Sequence, residues 1–222
     1  MSETEQLTQD EVLQRKTFLI EMYKQLFANI NRHILVVWQG VAVLAGAVAL
    51  FALVERAFLS LDLACSFFVL LLGWFVAHVL DASTWFNRNL AIMTNVERDF
   101  LRDEDLSLIH YYFGKPRPNN RMISHFSIQV AFALALAVLV LGTHFAYRVV
   151  PGFALPLSKF DWTRALPYVV LSVTCLYLLA FWRKTERNYS ELLKNSPGRT
   201  VDITSVVYNS GHGQGKKWWQ LI

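Results

Sequence analysis

The side chains best suited to chemistry in this sequence are six histidines and a few carboxylates, and most of them are scattered. His78 and Asp81 are an exception, because residues three apart share one face of a helix and can hydrogen-bond there. A metal ion would need further ligands at that place, and His33 and His125 are the candidates at similar predicted depth. The simpler interpretation is that these polar residues terminate apolar helices, and we predict no metal site.

A short glycine-rich segment near the C-terminus invites comparison with a phosphate-binding loop. The loop pattern is G-x-x-x-x-G-K-[ST], in which the backbone cradles phosphate and the hydroxyl holds a metal ion. Ser210 stands where the first glycine is required, and Lys217 stands in place of the hydroxyl. The sequence also contains no H-E-x-x-H, paired-cysteine or G-x-S-x-G pattern. We therefore expect no enzyme activity and no cofactor.

Composition favours a membrane protein over a soluble one. Hydrophobic residues make up 54% of the 222 residues and charged residues only 17%, against about 25% charged in a soluble domain. The net charge of +4 does not indicate nucleic-acid binding, because the basic residues flank apolar runs and form no single stripe. The lipid bilayer is the expected partner. Cys65 and Cys175 both lie inside apolar runs, where packing is their expected role.

One continuous stretch, residues 60–101, organises the predicted elements. Its apolar half, 63–80, is long enough to cross hydrocarbon, and its second half has the helical spacing of an amphipathic continuation into water. Further apolar runs at 34–54, 128–146 and 166–182 complete four predicted spans. The fold class that follows is an all-α membrane protein with two antiparallel transmembrane hairpins, cytoplasmic helical extensions and a short strand-like C-terminal tail.

The chain before the first span has the pattern of a capped amphipathic helix. Thr8 and Glu11 form a T-x-x-E capping box, and an apolar stripe follows at Leu19, Met22, Tyr23, Leu26 and Ile30. The predicted segments are a lead-in helix over 1–33, a transmembrane hairpin over 34–80, a cytoplasmic helical loop over 81–125, a second hairpin over 126–182, and a helix and tail over 183–222.

The distribution of basic residues predicts orientation. Cytoplasmic loops of membrane proteins carry an excess of Lys and Arg. The N-terminal segment, the 81–125 loop and the chain after residue 182 carry 17 of the 21 basic residues. Both termini and the central loop are therefore predicted to be cytoplasmic, in a multi-pass protein of the cell (inner) membrane.

Polar and small residues within the spans indicate where helices meet. Polar groups in hydrocarbon are costly and should face a lumen or another helix; the candidates are Gln39, His78, Asp81, Gln129 and Thr174. No Asp, Glu, Lys or Arg lies in the middle of a predicted span, which argues against an ion-coupled transporter. Small residues one turn apart let backbones approach closely, either within the chain or between subunits; these are Ala42, Ala45, Gly46 and Ala49.

The C-terminal tail differs from the rest of the chain. Residues 200–208 are rich in β-branched side chains and predict a strand, which must pair with a partner's edge or another subunit, or else stay disordered. The last seven residues combine two cations with two tryptophans, the composition of an interfacial anchor. The candidate partner-binding residues of the loop and tail are Lys115, Arg117, Arg121, Val201, Ile203, Trp218 and Trp219.

A two-span hairpin running into a cytoplasmic helix with Trp85, Asn87, Glu97 and Leu101 resembles the SLATT-like class of small bacterial membrane proteins. The resemblance covers residues 34–101 at most, and the second hairpin and the tail depart from that class. It implies an oligomeric pore that accompanies nucleotide-sensing or anti-phage defence systems.

Two functions of different kinds fit these patterns. The first is an oligomeric cytoplasmic-membrane protein, a homo-oligomer that acts as a pore-type or signal-transmitting effector. The alternative is a membrane anchor or adaptor that recruits a soluble cytoplasmic protein through residues 81–125 and 200–222.

Overall fold

The computed structural model describes residues 8–100, 124–156, 159 and 161–195. Its α-helices are α1 (Gln9–Ala47), α2 (Ala49–Glu55), α3 (Leu61–Phe100), α4 (Ser124–His144) and α5 (Leu166–Lys194). A π-helical turn, Phe145–Val149, and two 3₁₀ turns, Val150–Ala154 and Trp162–Ala165, lie between α4 and α5. The described residues therefore form an all-helical structure.

Four stretches are long and apolar enough to cross a membrane, as the sequence predicts. They are Gln9–Glu55, Leu61–Glu97, Phe126–Ala154 and Trp162–Leu192. Most of the predicted cytoplasmic loop over 81–125, namely residues 101–123, lies outside the described residues, as does the strand-like tail. So do all seven candidate partner-binding residues of the loop and tail.

The predicted capping box begins α1. The backbone N–H of Thr8 donates to Glu11 Oε2 at 2.7 Å, and the Thr8 hydroxyl donates to the same oxygen at 2.8 Å. The N–H of Glu11 donates to Thr8 Oγ1 at 3.4 Å. The reciprocal bonds satisfy amides that a helix start leaves unpaired, so this prediction is confirmed.

The first predicted span differs from the structure in one respect. The predicted span over 34–54 lies within the stretch Gln9–Glu55, but the α-helix ends at Ala47 and resumes at Ala49, while Val48 keeps helical dihedral angles of −60° and −28°. Val48 donates its N–H to the carbonyl of Ala45, a 3₁₀-type bond at 3.3 Å in place of the i−4 bond. A sequence of small and apolar residues gives no warning of such a local change in backbone bonding.

A short turn separates α2 from α3. It contains Ala57 with φ of 58°, a left-handed conformation that is rare outside glycine. The Ser60 hydroxyl then accepts a bond from the Leu63 N–H at 3.3 Å and caps α3. From there α3 continues for 40 residues to Phe100, which confirms the prediction of one helix across the apolar and amphipathic halves.

The described residues fall into two compact units. The first unit contains residues 8–33, 85–100 and 190–195, and the second contains 34–84 and the described part of 124–189. In the first unit the predicted stripe of α1 holds its least exposed positions, ending with buried Ile30. Tyr23, on that stripe, donates its hydroxyl to Glu97 of α3 at 2.9 Å.

The polar half of α3 is less solvent-facing than the sequence pattern indicates. Phe86, Leu90 and Met93 are buried as expected, but Asn87 and Glu97 are buried as well, as is Asn89. Buried polar groups need partners, and Glu97 has one in Tyr23. This half therefore packs on more than one side, and the expectation of a simple two-faced helix is wrong here.

In the second unit α3 is the most buried of the spans, with half of its apolar window covered, compared with 6% for α5. Gly40 of α1 lies against the Phe75 ring, and Gly73 of α3 lies against the Thr174 side chain of α5. Phe68 and Phe75 of α3 are almost fully buried. The second unit is therefore assembled around α3.

Candidate functional site

Asp62 is the centre of a buried polar cluster in the second unit. It lies in the first turn of α3, where a carboxylate interacts favourably with the free N–H groups and positive dipole of a helix start. Only 2% of the residue is exposed. A buried carboxylate is tolerated where hydrogen bonds and opposite charge compensate it, and the structure supplies both.

Two residues from the end of α4 and the following π-helical turn provide that compensation. His144 Nε2 lies 2.8 Å from Asp62 Oδ1. Arg148 donates through Nε to Asp62 Oδ1 at 3.2 Å and through Nη2 to Oδ2 at 2.8 Å. The two-pronged geometry is the strong form of an arginine–carboxylate pair. It ties the start of α3 to the end of α4.

His144 also connects the cluster to α5. Its ring is fully buried, and Nδ1 lies 3.0 Å from the Tyr168 hydroxyl. That hydroxyl also lies within donor distance of the Leu141 carbonyl, at 3.3 Å. When His144 is neutral with its proton on Nε2, Tyr168 donates to Nδ1. When both ring nitrogens are protonated, Nδ1 donates to Tyr168, whose proton turns to Leu141.

The 3₁₀ turn before α5 completes the cluster. Thr163 places its hydroxyl 3.2 Å from Asp62 Oδ2 and 2.7 Å from Asp161 Oδ1. Asp161 caps this turn, and the hydroxyl and backbone N–H of Thr163 lower the pKa of that carboxyl. Arg148 reaches Asp161 as well, at 3.6 Å, and Arg164 donates to the Arg148 carbonyl at 3.0 Å.

Sequence reasoning missed this cluster for a specific reason. The predicted spans 63–80 and 128–146 leave Asp62 just before one span, His144 near the end of another and Arg148 just beyond it, with no signal that joins them. Opposite charges at the ends of successive apolar runs are a usable hint, since a membrane protein has few ways to pair them. The π-helical turn that holds Arg148 is a recurrent feature of functional sites, but it is not readable from sequence.

The predicted polar residues of the spans do not converge on one lumen. Gln39 and His78 line one cleft of about 320 Å³ between α1 and α3, together with Trp74, whose ring lies 4.5 Å from the His78 ring. Asp81 is exposed one turn beyond. Of the five candidate residues, the structure therefore brings two, Gln39 and His78, to one cleft.

Gln129 and Thr174 occupy different environments. Gln129 is buried, and its Oε1 accepts no hydrogen bond within the described part of the chain. Thr174 packs on Gly73, where a methyl group on the glycine would collide with its Cγ2. Thr174 is thus a helix-packing residue of the α3–α5 contact.

The small residues of the first span face away from the other described residues. Ala42, Ala45, Gly46 and Ala49 are all exposed. A Cβ added to Gly46 would meet nothing within 4 Å, whereas one added to Gly40 would lie 2.8 Å from the Phe75 ring. The close approach of α1 to α3 therefore uses Gly40, a residue outside the predicted set.

The Asp62 cluster has the order of a proton relay, carboxylate to imidazole to hydroxyl, which in an open site activates a hydroxyl. Here the His144 ring is fully buried. The hydrogen bonds of the cluster connect α3, α4 and α5. Among the described residues no group of three or more His, Cys, Asp or Glu side chains is placed to hold a metal ion.

Comparisons with protein-family models, with curated proteins and with solved structures find no match to this chain. The SLATT-like resemblance therefore rests on the sequence pattern alone. What the fold defines is a protein whose described residues are helical, with four helices long and apolar enough to cross a membrane.

Proposed function

We propose that the protein is an oligomer of the cytoplasmic membrane that acts as a signal-transmitting or pore-type effector. Its spans form two antiparallel hairpins with both termini on the cytoplasmic side, in line with the placement of its basic residues. In this orientation the Asp62 cluster lies at the non-cytoplasmic end. Helices α1 and α3 extend beyond their apolar runs on the cytoplasmic side, where a signal would arrive.

The observation that carries the proposal is the outward small-residue face of α1. Ala42 and Gly46 form one small-x-x-x-small pair on this face, and Ala45 and Ala49 form another. Such faces drive association of spans because backbones come close without side chains between them. Since no described residue lies within 4 Å of a Cβ built on Gly46, a second copy is the partner that we expect this face to fit.

Exposed polarity on the same helix supports this. Gln39 lies one turn before Ala42 and two turns before Gly46, and it is exposed within an apolar run. An amide facing hydrocarbon is costly, and glutamine side chains hydrogen-bond between membrane helices. Association of α1 with another copy would give Gln39 a partner and cover the small residues together.

The test is a matched pair of glycine substitutions. Gly46 on α1 and Gly142 on α4 both face open space, so neither Gly46→Leu nor Gly142→Leu disturbs the fold of one chain. Native mass measurement in detergent should show an oligomer for the wild type and for Gly142→Leu, and a smaller species for Gly46→Leu. A monomeric wild type, or equal effects of the two substitutions, would refute the proposal.

Potassium release separates the two modes of action. Expression of a pore-type effector depolarises the membrane and releases potassium, and Gly46→Leu should abolish that release. An intact membrane potential at high expression, combined with an oligomer that Gly46→Leu dissociates, would assign the protein to signal transmission.

A further inference from the structure

Three residues of the first unit form a stack at the junction between apolar and polar sequence. The His33 and Trp85 rings lie nearly parallel, 13° apart, with centroids separated by 6.2 Å. The guanidinium carbon of Arg88 lies 4.9 Å from the centroid of the same Trp85 ring. A guanidinium held against an indole face has fewer conformations to lose when it binds an anion.

The positive charge of Arg88 is uncompensated in the described part of the chain. Arg88 is exposed and forms no hydrogen bond or ion pair with any described residue. Its contact with Trp85 is a cation–π contact. Arg32, next to His33, is also exposed and has no such bond among the described residues. The five N–H donors of each guanidinium are therefore available to an external anion.

Both helices place this stack at the level of lipid headgroups. His33 directly precedes the apolar run 34–54, and Trp85 follows the end of the run 63–80 by five residues. Five residues of α-helix rise about 7.5 Å, and the headgroup layer on each side of a bilayer core is roughly 5–7 Å thick. Tryptophan is enriched in that layer.

We propose that Arg32, His33, Trp85 and Arg88 bind the phosphate of an anionic phospholipid headgroup. Charge complementarity selects the ligand, since arginine donates two parallel bonds to phosphate and anionic lipids are the anions present at that depth. The indole of Trp85 lies against the boundary of the lipid chains while it orients Arg88. This assignment does not depend on whether the protein is an effector or an adaptor.

The experiment measures lipid retention by the purified full-length protein. Native mass spectrometry in detergent would follow binding of phosphatidylglycerol and phosphatidylcholine to the wild type, Arg88→Gln and Trp85→Ala. The matched control is Lys184→Gln, which removes the same charge from an exposed position of α5 on the same predicted side. Wild type should prefer phosphatidylglycerol, and Arg88→Gln should weaken that binding about fivefold, the effect of one basic residue near a charged surface.

The outcomes discriminate between sources of the anion. Unchanged binding by Lys184→Gln, with weaker binding by Trp85→Ala, supports the assignment. Equal losses in Arg88→Gln and Lys184→Gln would show general electrostatic attraction and overturn it, as would equal retention of the two lipids. Binding of free glycerol phosphate as tight as that of the lipid would show a soluble-ligand site and would overturn it too.

Discussion

Two parts of α3 in the second unit are held in opposite ways. Its first turn is held by charge, through the bonds of Asp62 to His144 and Arg148. Its middle is held by shape, where the Phe75 ring fits against Gly40 and Gly73 lies against Thr174. Within lipid, helices gain little from burying apolar surface against each other, so packing and polar bonds hold them together. Helix α3 uses polar bonds at its first turn and close packing in its middle.

The comparison also separates two kinds of sensitivity. A polar cluster loses stability when a partner is removed, because the remaining charge stays buried without compensation. A glycine contact loses stability when atoms are added, because the side chain packed against the glycine has to move away. Substitutions chosen for each mechanism therefore test whether the two regions are held as described.

The largest expected effect is from Asp62→Ala. Removal of this carboxylate takes away the hydrogen bonds to His144 and Arg148. Breaking a buried pair on one side costs about 3–5 kcal/mol, and we expect about 3 kcal/mol because Arg148 is partly exposed and keeps Asp161 nearby. Thermal or denaturant unfolding in detergent measures the loss. The control is Asp161→Ala, which removes a more exposed carboxylate that also faces Arg148. A similar loss of unfolding free energy in both variants would show that the burial of Asp62 does not determine the effect.

Gly40→Val should destabilise the second unit by about 1–3 kcal/mol, the usual cost of overpacking. The added side chain begins 2.8 Å from the Phe75 ring, inside normal contact distance. Gly142→Val on α4 is the matched substitution, because a Cβ there would meet nothing within 4 Å and the residue lies outside the proposed subunit contact; it should leave the unfolding unchanged. Equal stability of the two variants would contradict the close approach of α1 to α3.

Tyr168→Phe should cost about 1 kcal/mol, the net worth of a typical hydrogen bond. The phenyl ring retains the contacts with His144 and Phe145 and loses only the hydroxyl. A double-mutant cycle with His144→Gln tests the link, since residues in one network give non-additive effects. Strict additivity would place Tyr168 outside the cluster.

The smallest effect is expected for Asp161→Asn and depends on pH. The bonds from Thr163 lower the pKa of Asp161 in the folded protein, so its carboxylate stabilises the fold above the pKa of an unfolded aspartate. That contribution is lost as pH falls through the lowered folded value. Wild type and Asp161→Asn should therefore converge in unfolding temperature under acid, and a constant difference across the pH range would reject this account.

Much of the helical layout was readable from sequence, and the reasons are local. The capping box of Thr8 and Glu11, the apolar stripe of α1 and the continuous course of α3 and α5 follow from spacing and from the absence of helix breakers. The break at Val48 was not readable, because it depends on one backbone bond. The loop and tail predictions lie outside the described residues and stay predictions.

The candidate sites were less predictable. Gln39 and His78 were chosen for their polarity within apolar runs, and the structure places them at one cleft. Thr174, chosen for the same reason, packs on Gly73. Polarity marks a residue that needs a special environment, but the environment comes from a different helix.

The sequence by itself determined that this chain has four apolar helices, because length, hydropathy and helical periodicity are properties of consecutive residues. Tertiary structure decided which residues meet. Asp62 and His144 are separated by 82 positions, and only the packing of α3 against α4 and α5 brings the carboxylate, imidazole and guanidinium together. Likewise, two glycines six residues apart look equivalent in the sequence, and only the position of Phe75 distinguishes them.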